Sequence, residues 1–338
     1  MRTLVAALCD DLCAGRKTCT PGAARARGIV CESLRDAGLD PGEQPVPACG
    51  GVNVLATLAG DTDRYVLVAA HYDHLGATRD AIYRGADDNA AAVAILCEVA
   101  RALSASRPAG RGVLLAAFDA EEPPHFMTGA MGSQYFVQHS PVPLANIDQM
   151  ICMDLVGHAV GPEGAPQAVR DSMFVLGAER SLGTAALIDA IEEPGVIARR
   201  VDAEVIPPLS DYLAFWRAGI PFAFLTCGRW AHYHTTEDTP DKLDYPKMGA
   251  IASWLERFVR SSCSRDDQRL FTDAPDDAST LRSVISLCDA LRELSPQAEL
   301  GRSYALELLA ACDREGRLPS HRRSDAQALV AMLENALA

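Results

Sequence analysis

The chain has 338 residues, 49% of them hydrophobic and 22% charged, an ordinary composition for a folded protein and ample for a large core. Its net charge of −14 comes with no block of Lys or Arg, so no nucleic-acid partner is expected. No apolar stretch reaches the roughly 18 residues that a membrane helix needs, so no membrane association is expected either.

The opening MRTLVAALCDDLCAG has a short apolar part, Thr3 to Cys9, cut by Asp10 and Asp11, which predicts a helix rather than an export signal. The 11 cysteines are odd in number. Cys97 and Cys152 occupy positions typical of small buried hydrophobes. Cys9, Cys13 and Cys19 lack the paired spacing of a structural zinc site. Reduced cysteines without an export signal predict a cytoplasmic location. Residues 22–38 form a helical pattern, with Ile29, Val30 and Leu34 on one side and Gly38 as its stop. GVNVLATLAG (51–60) alternates as a strand, and a GDTD turn leads into a second strand, RYVLVAAH. A helix is predicted over 88–104, with Val93, Leu96, Val99, Ala100 and Leu103 in period and Asp88 near its N-cap.

Apolar runs at 112–118, 149–156, 173–177 and 221–227 read as fully buried strands, with helices between them at 132–139, 181–191 and 210–218. This alternation predicts an α/β fold: a mixed, mostly parallel central sheet with helices on both faces. Beyond residue 263 the stretch SRDDQRLFTDAPDDAST is polar. Three helical patterns follow, marked by Leu281, Val284, Ile285, Cys288 and Leu291, then Ala305, Leu308, Leu309 and Cys312, then Leu329, Val330, Leu333 and Leu337. The expected organisation is an α/β domain over 1–263 and a helical extension over 264–338. The extension would pack on the core or supply a surface through which copies of the chain form a homo-oligomer.

The chemistry-bearing residues cluster at strand ends. HYDHLG holds His71 and Asp73, GADDNAAAV holds Asp87 and Asp88, GVLLAAFDAEE ends in Glu121 and Glu122, ICMDLVG holds Asp154, and HYHTTEDTPDKLD holds His234. Sites in such sheets collect at the carboxyl ends of strands. Oxygen and imidazole ligands there are what a two-metal hydrolytic centre needs. Neighbouring side chains on an extended chain point opposite ways, so Glu121 and Glu122 can serve different roles. Taken singly, several of these residues have plainer readings: Asp88 as a helix cap, Asp87 as a solvated turn acid, His74 as a loop histidine, and His125, His139 and His158 as surface residues.

The ordered series HYDHLG, GADDNAAAV, DAEE, GSQYF, MDLVG, SDY, GIP, YHTTEDT resembles the zinc exopeptidase family of clan MH, which includes bacterial leucyl aminopeptidases, glutamate carboxypeptidase II and glutaminyl cyclase. The resemblance covers roughly residues 20–262. It implies two zinc ions, with cobalt or manganese as alternatives: His71 and Asp154 on one, Glu122 and His234 on the other, and Asp88 bridging, with room for a shared water. It also implies Glu121 as general base and Asp73 as the group orienting the His71 ring. The family register prefers His234 to His232. Glu237 and Asp238 read as turn acids or as braces for that histidine. The family often carries SDH where Ser210-Asp211-Tyr212 stands here; the replaced histidine is not a ligand, so the departure bears on pocket shape. Tyr233 and Tyr212 are candidates to donate to an oxyanion, or else packing tyrosines. The Pro-rich EEPPHFMTGAMGSQYF is expected to shape the pocket rim. The implied function is an aminopeptidase acting on small peptide or aminoacyl substrates. The alternatives are a glutaminyl cyclase-like acyltransferase, another amide hydrolase or carboxypeptidase, and an inactive binding relative.

Overall fold

The structure, a computed structural model, describes residues 1–267 and 270–337. In chain order its helices are α1 (Arg2–Leu8), α2 (Pro21–Asp36), α3 (Ala92–Ala105), α4 (Gly132–Gln138), α5 (Gln167–Arg170), α6 (Thr184–Asp189), α7 (Tyr212–Arg217), α8 (Tyr245–Cys263), α9 (Asp277–Leu291), α10 (Pro296–Ala310) and α11 (Arg323–Leu337). Its strands are β1 (Gly42–Val46), β2 (Gly51–Leu58), β3 (Tyr65–His71), β4 (Gly76–Ala77), β5 (Ile82–Tyr83), β6 (Gly112–Phe118), β7 (Ile147–Met153), β8 (Ser172–Leu176), β9 (Ile197–Val201) and β10 (Phe222–Thr226).

The central sheet has eight strands in the order β1-β2-β6-β3-β7-β10-β8-β9. Its middle, β6-β3-β7-β10, is parallel, and β2 and β8 flank it antiparallel. Strands β6, β7 and β10 are buried along their whole length, as continuous apolar runs covered on both faces should be. One face is covered by α1, α2, α3 and α8, the other by α4 and α7. The register His71↔Phe118 aligns the ends of β3 and β6, so the residues after them emerge side by side. Strand β1 carries Pro45 and lies at the sheet edge, where a missing N–H costs no ladder bond. Strand β9 holds Arg199 and Arg200 and shows no apolar run; it forms because β8 pairs with it.

The helix predicted over 88–104 differs at its start. Residues 86–91 form a wider π turn in which Asp88 takes φ −111 and ψ 85, and regular helix begins only at Ala92. Asp88 therefore caps no helix, and its carboxylate is free for other partners.

Helices α9–α11 lie outside the sheet against the β9 edge and share an apolar core of their own with Leu281, Cys288, Ala305 and Leu329. Polar contacts fasten them to the sheet. The Asp202 carboxylate accepts the Asp276 N–H at 2.7 Å. Arg323 reaches Glu204 at 2.8 Å and Asp277 at 3.1 Å. The segment leading to α9 is held too: Arg111 donates to the carbonyls of Arg265 and Asp267, and Thr272 N–H donates to Arg180 O at 2.9 Å. Among the described residues no helix is long and apolar enough to cross a membrane.

Candidate metal centre

Four parallel strands deliver the site. His71 ends β3, Glu121 and Glu122 follow β6, Asp154 follows β7, and His234 lies in the loop after β10. The turn after β6 needs Ala120 at φ 63, and this sharp reversal aims both glutamates into the cleft. Asp88 enters from the π turn above β3. Its approach requires Gly85, at φ +56, where an added Cβ would lie 2.1 Å from Asp88 O and 2.5 Å from the His74 ring.

The ligand-type atoms meet in two sets that share Asp88. His71, Asp88 and Asp154 place one donor atom each within 4.8 Å of one another, and so do His74, Asp88 and Glu122. His71 Nε2 lies 3.4 Å from Asp154 Oδ1 and 3.5 Å from Asp88 Oδ1. His234 Nε2 lies 3.1 Å from Asp88 Oδ2 and 3.2 Å from Glu122 Oε2. Glu121 sits beside the first set, with Oε2 3.9 Å from His71 Nε2. The five residues expected as ligands are thus brought together, with Glu121 adjacent.

The donor set fits a cation. Buried His71 Nε2 and Asp154 Oδ1 have no hydrogen-bond partner among the described residues. The cluster also concentrates carboxylates that water would otherwise solvate. Burial, then the Glu122 charge, pushes Asp88 up to about 6. Burial pushes the Glu121 carboxyl well above the usual range, with Asp154 and Asp211 adding to it against the pull of His71. Burial disfavours a charged His234 ring, yet its bonds to Asp88 and Glu122 carry it up to about 10. A positive ion between these groups would relieve the same repulsion.

Supporting residues hold this geometry. The Asp73 carboxylate accepts Glu121 N–H and Glu122 N–H, each at 3.1 Å, while His71 Nδ1 lies 3.3 Å from the Asp73 backbone carbonyl and 3.6 Å from the carboxylate. Asp73 therefore fixes both the imidazole and the glutamate turn. Burial works against its charge, but His71 and these amides hold Asp73 below the usual carboxylate range. Asp119 underlies it, accepting from Tyr72 Oη at 2.7 Å and Thr18 Oγ1 at 2.8 Å. Tyr233 stacks on the His234 ring with centroids 3.8 Å apart and lines the cleft.

Several plainer readings are corrected. His74 is not a loop histidine: it is buried, with Nδ1 2.8 Å from Glu122 Oε1. Burial drives its pKa down to about 3. Asp87 is not a solvated turn acid. It is fully buried and accepts from Gly157 N–H at 2.6 Å, with His158 Nδ1 2.7 Å away. His158 is therefore no surface residue, and Trp230 stacks on it at 4.8 Å. Asp238 braces the π turn rather than the histidine, accepting Asp87 N–H at 2.8 Å and Asp88 N–H at 3.1 Å. Tyr212 is a packing residue, fully buried on Phe222 and Phe224 with ring centroids 4.9 Å and 4.7 Å away. His125 and His139 do lie outside the buried interior.

Two further groups were given no role by the sequence: Arg16, which stands in no motif, and Asp211, which lies in the SDY segment of the resemblance. Fully buried Arg16 donates to Tyr72 O and Gly85 O at 2.8 Å and to Leu8 O at 2.9 Å, tying the N-terminal segment to the loops that carry Asp73 and Asp88. Asp211 is fully buried beside the centre, and burial pushes it up to about 7. Its oxygens make no well-formed hydrogen bond among the described residues, although the Ser133 hydroxyl lies alongside. Isolated arginines and turn acids look alike in sequence, so only the fold distinguishes these.

The chain matches Peptidase family M28 over residues 53–259. It is 29% identical over 262 residues to uncharacterized protein YfbL of Escherichia coli K12, covering 70% of this chain and 80% of that protein. Its fold is similar to the LapA aminopeptidase of Legionella pneumophila, with TM-score 0.63, 16% identity, and coverage of 79% of this chain and 73% of that one. It is also similar to Porphyromonas gingivalis glutaminyl cyclase, with TM-score 0.61, 20% identity, and coverage of 77% and 96%.

Proposed function

The chain belongs to peptidase family M28, and from that premise we propose that it is a zinc-dependent aminopeptidase that hydrolyses the N-terminal bond of small peptides. The observation that carries this reading is the pair of imidazole–carboxylate sets sharing Asp88, His71 with Asp154 on one side and His234 with Glu122 on the other, with Glu121 beside them and outside both. His71, Asp88 and Asp154 would hold one zinc, and Asp88, Glu122 and His234 a second. Zinc bound there would polarise the scissile carbonyl and acidify water toward neutral pH.

The protein's own groups do the rest. Glu121 takes a proton from the attacking water and returns it to the leaving amine. Burial raises its carboxyl, which suits the second transfer. Asp73 orients His71 and holds the glutamate turn, and His74 holds the Glu122 carboxylate. Tyr233, fixed against His234, donates a hydrogen bond to the developing oxyanion.

The test is a panel of aminoacyl p-nitroanilides, their N-acetyl counterparts and an N-terminal glutaminyl peptide, with and without chelator. The reading expects cleavage of the free-amine substrates alone, lost with chelator and restored by zinc. Equal cleavage of blocked substrates overturns it in favour of another amide hydrolase. Ammonia release with ring closure of the glutaminyl peptide, without hydrolysis, overturns it in favour of a cyclase.

A further inference from the structure

The cleft does not end at the acidic cluster. It and an apolar recess beyond it form one cavity of about 330 Å³, and the recess takes its inner walls from Phe174 and Leu176 of β8, Val201 of β9 and Phe224 of β10. The opposite wall belongs to the C-terminal helices, which lie beyond the 53–259 segment matched to the family. Helix α9 presents Thr280, Ser283, Val284 and Leu287, and α11 presents Val330, Leu333, Glu334 and Leu337. Both sets follow the i, i+3, i+4, i+7 spacing of one helix face, so each helix lays a whole stripe along the cavity. At the rim, Arg229 of the loop after β10 pairs with Glu334 at 3.1 Å and ties α11 to the loop that carries His234. The Asp202, Glu204 and Arg323 contacts fasten the other side of the extension to β9.

We propose that this cavity receives an extended apolar side chain on the residue whose carbonyl is attacked, and that α9 and α11 set its depth. Val330 and Leu333 are then specificity-determining residues. The proposal rests on the aminopeptidase reading for the identity of the group inserted. It rests on the cavity alone for its chemistry. Beyond the cluster and the rim pair the walls are dominated by apolar side chains, so a charged side chain would lose its water without gaining a partner. A cavity of ~150 Å³ already accepts a benzene ring. The whole cavity, acidic cluster included, has about twice that volume, which leaves the recess room for a group longer than a small aliphatic side chain.

The experiment titrates n-alkylamines from ethyl to octyl into the zinc-loaded full chain by calorimetry, and in parallel measures hydrolysis of alanyl, norleucyl and phenylalanyl p-nitroanilides. Wild type is expected to bind each successive amine roughly fourfold more tightly until the cavity is full, as burial of one methylene at ~0.8 kcal/mol requires. Leu333→Trp, and separately Val330→Phe, fill the cavity from partly exposed positions. Each is expected to remove that gain and raise KM for the norleucyl and phenylalanyl substrates by about tenfold or more, with alanyl hydrolysis within about twofold of wild type. A flat amine series in a chain that hydrolyses the amides overturns the proposal, as does an equal loss on all three substrates. A chain that hydrolyses none of them but shows the amine trend, lost in both variants, overturns the aminopeptidase reading and supports the cavity.

Discussion

Replacing Glu121 and Glu122 one at a time by glutamine separates the two roles assigned to that pair. Gln keeps the shape of Glu121 but cannot accept the water proton. Glu121 is buried, and Asp154, Asp211 and Glu122 all oppose its charge. The neutral variant relieves this repulsion, so Glu121→Gln is expected to fold with a denaturant midpoint at or above wild type and to bind zinc fully. Its turnover should fall by about 10²–10⁴, the usual contribution of a general base, equivalent to ~2.7–5.4 kcal/mol in the barrier. Glu122 has a different setting, with Oε1 2.8 Å from His74 Nδ1 and Oε2 3.2 Å from His234 Nε2. Glu122→Gln removes a charged ligand, so zinc affinity should fall by more than the ~10–100-fold seen for outer partners of a ligand. Its activity should partly return in excess zinc, whereas that of Glu121→Gln should not. The assays are kcat under saturating substrate and elemental analysis after gel filtration. If metal is lost from Glu121→Gln and kept in Glu122→Gln, base and ligand must be exchanged. If Glu121→Gln stays within about tenfold of wild type, Glu121 is not the base.

Zinc titration of the chelator-treated chain should saturate at two ions; saturation at one would remove the shared role of Asp88. Asp238→Ala removes the acceptor for the Asp87 and Asp88 amides. It should lower zinc affinity ~10–100-fold in chelator competition, and unchanged affinity would show that the π turn holds itself. Arg323→Ala leaves buried Asp202 and Asp277 short of a partner. Because Arg323 is partly exposed, the expected loss in urea unfolding is moderate, about 1–3 kcal/mol, and a loss under ~0.5 kcal/mol would mean that the other contacts of the extension suffice. Burial opposes ionisation of Asp148, but Arg64 and Arg111 outweigh it and hold its pKa below the ordinary value. The stability from these pairs is therefore complete above the unfolded pKa of ~3.9 and is lost as pH falls through the lower folded value. Asp148→Asn should flatten that part of the stability–pH profile, and parallel acid profiles for the two proteins would refute the assignment.

The sheet and the ligand types were legible because both are written locally. Runs such as RYVLVAAH and GVLLAAFDAEE show buried strands by composition, and strand ends are where an α/β sheet exposes its functional residues. His71, Asp88, Glu121, Glu122, Asp154 and His234 were all named from that pattern together with the family resemblance. Strand β9 was missed because its arginines mask a strand that exists only through pairing with β8. His74, Asp87, His158 and Asp238 were misread for one common reason. A polar side chain in a loop is solvated or buried according to which distant segments close over it, and neither its identity nor its neighbours record that. Asp87 meets Gly157 and His158 some 70 positions along the chain, and Asp238 reaches the π turn across about 150. The sequence by itself determined the α/β class, the order of the strands that end in candidate ligands, and the amphipathic stripes of α9 and α11. The tertiary structure decided which polar groups are buried as supports, and that α9 turns its Leu281 and Cys288 side into the extension's own core while Thr280, Ser283, Val284 and Leu287 line the cleft opposite Val330, Leu333 and Leu337 of α11. That choice depends on the β9 edge and on Arg323, Asp202 and Glu204 meeting across more than 100 residues, a long-range packing preference that no local pattern encodes.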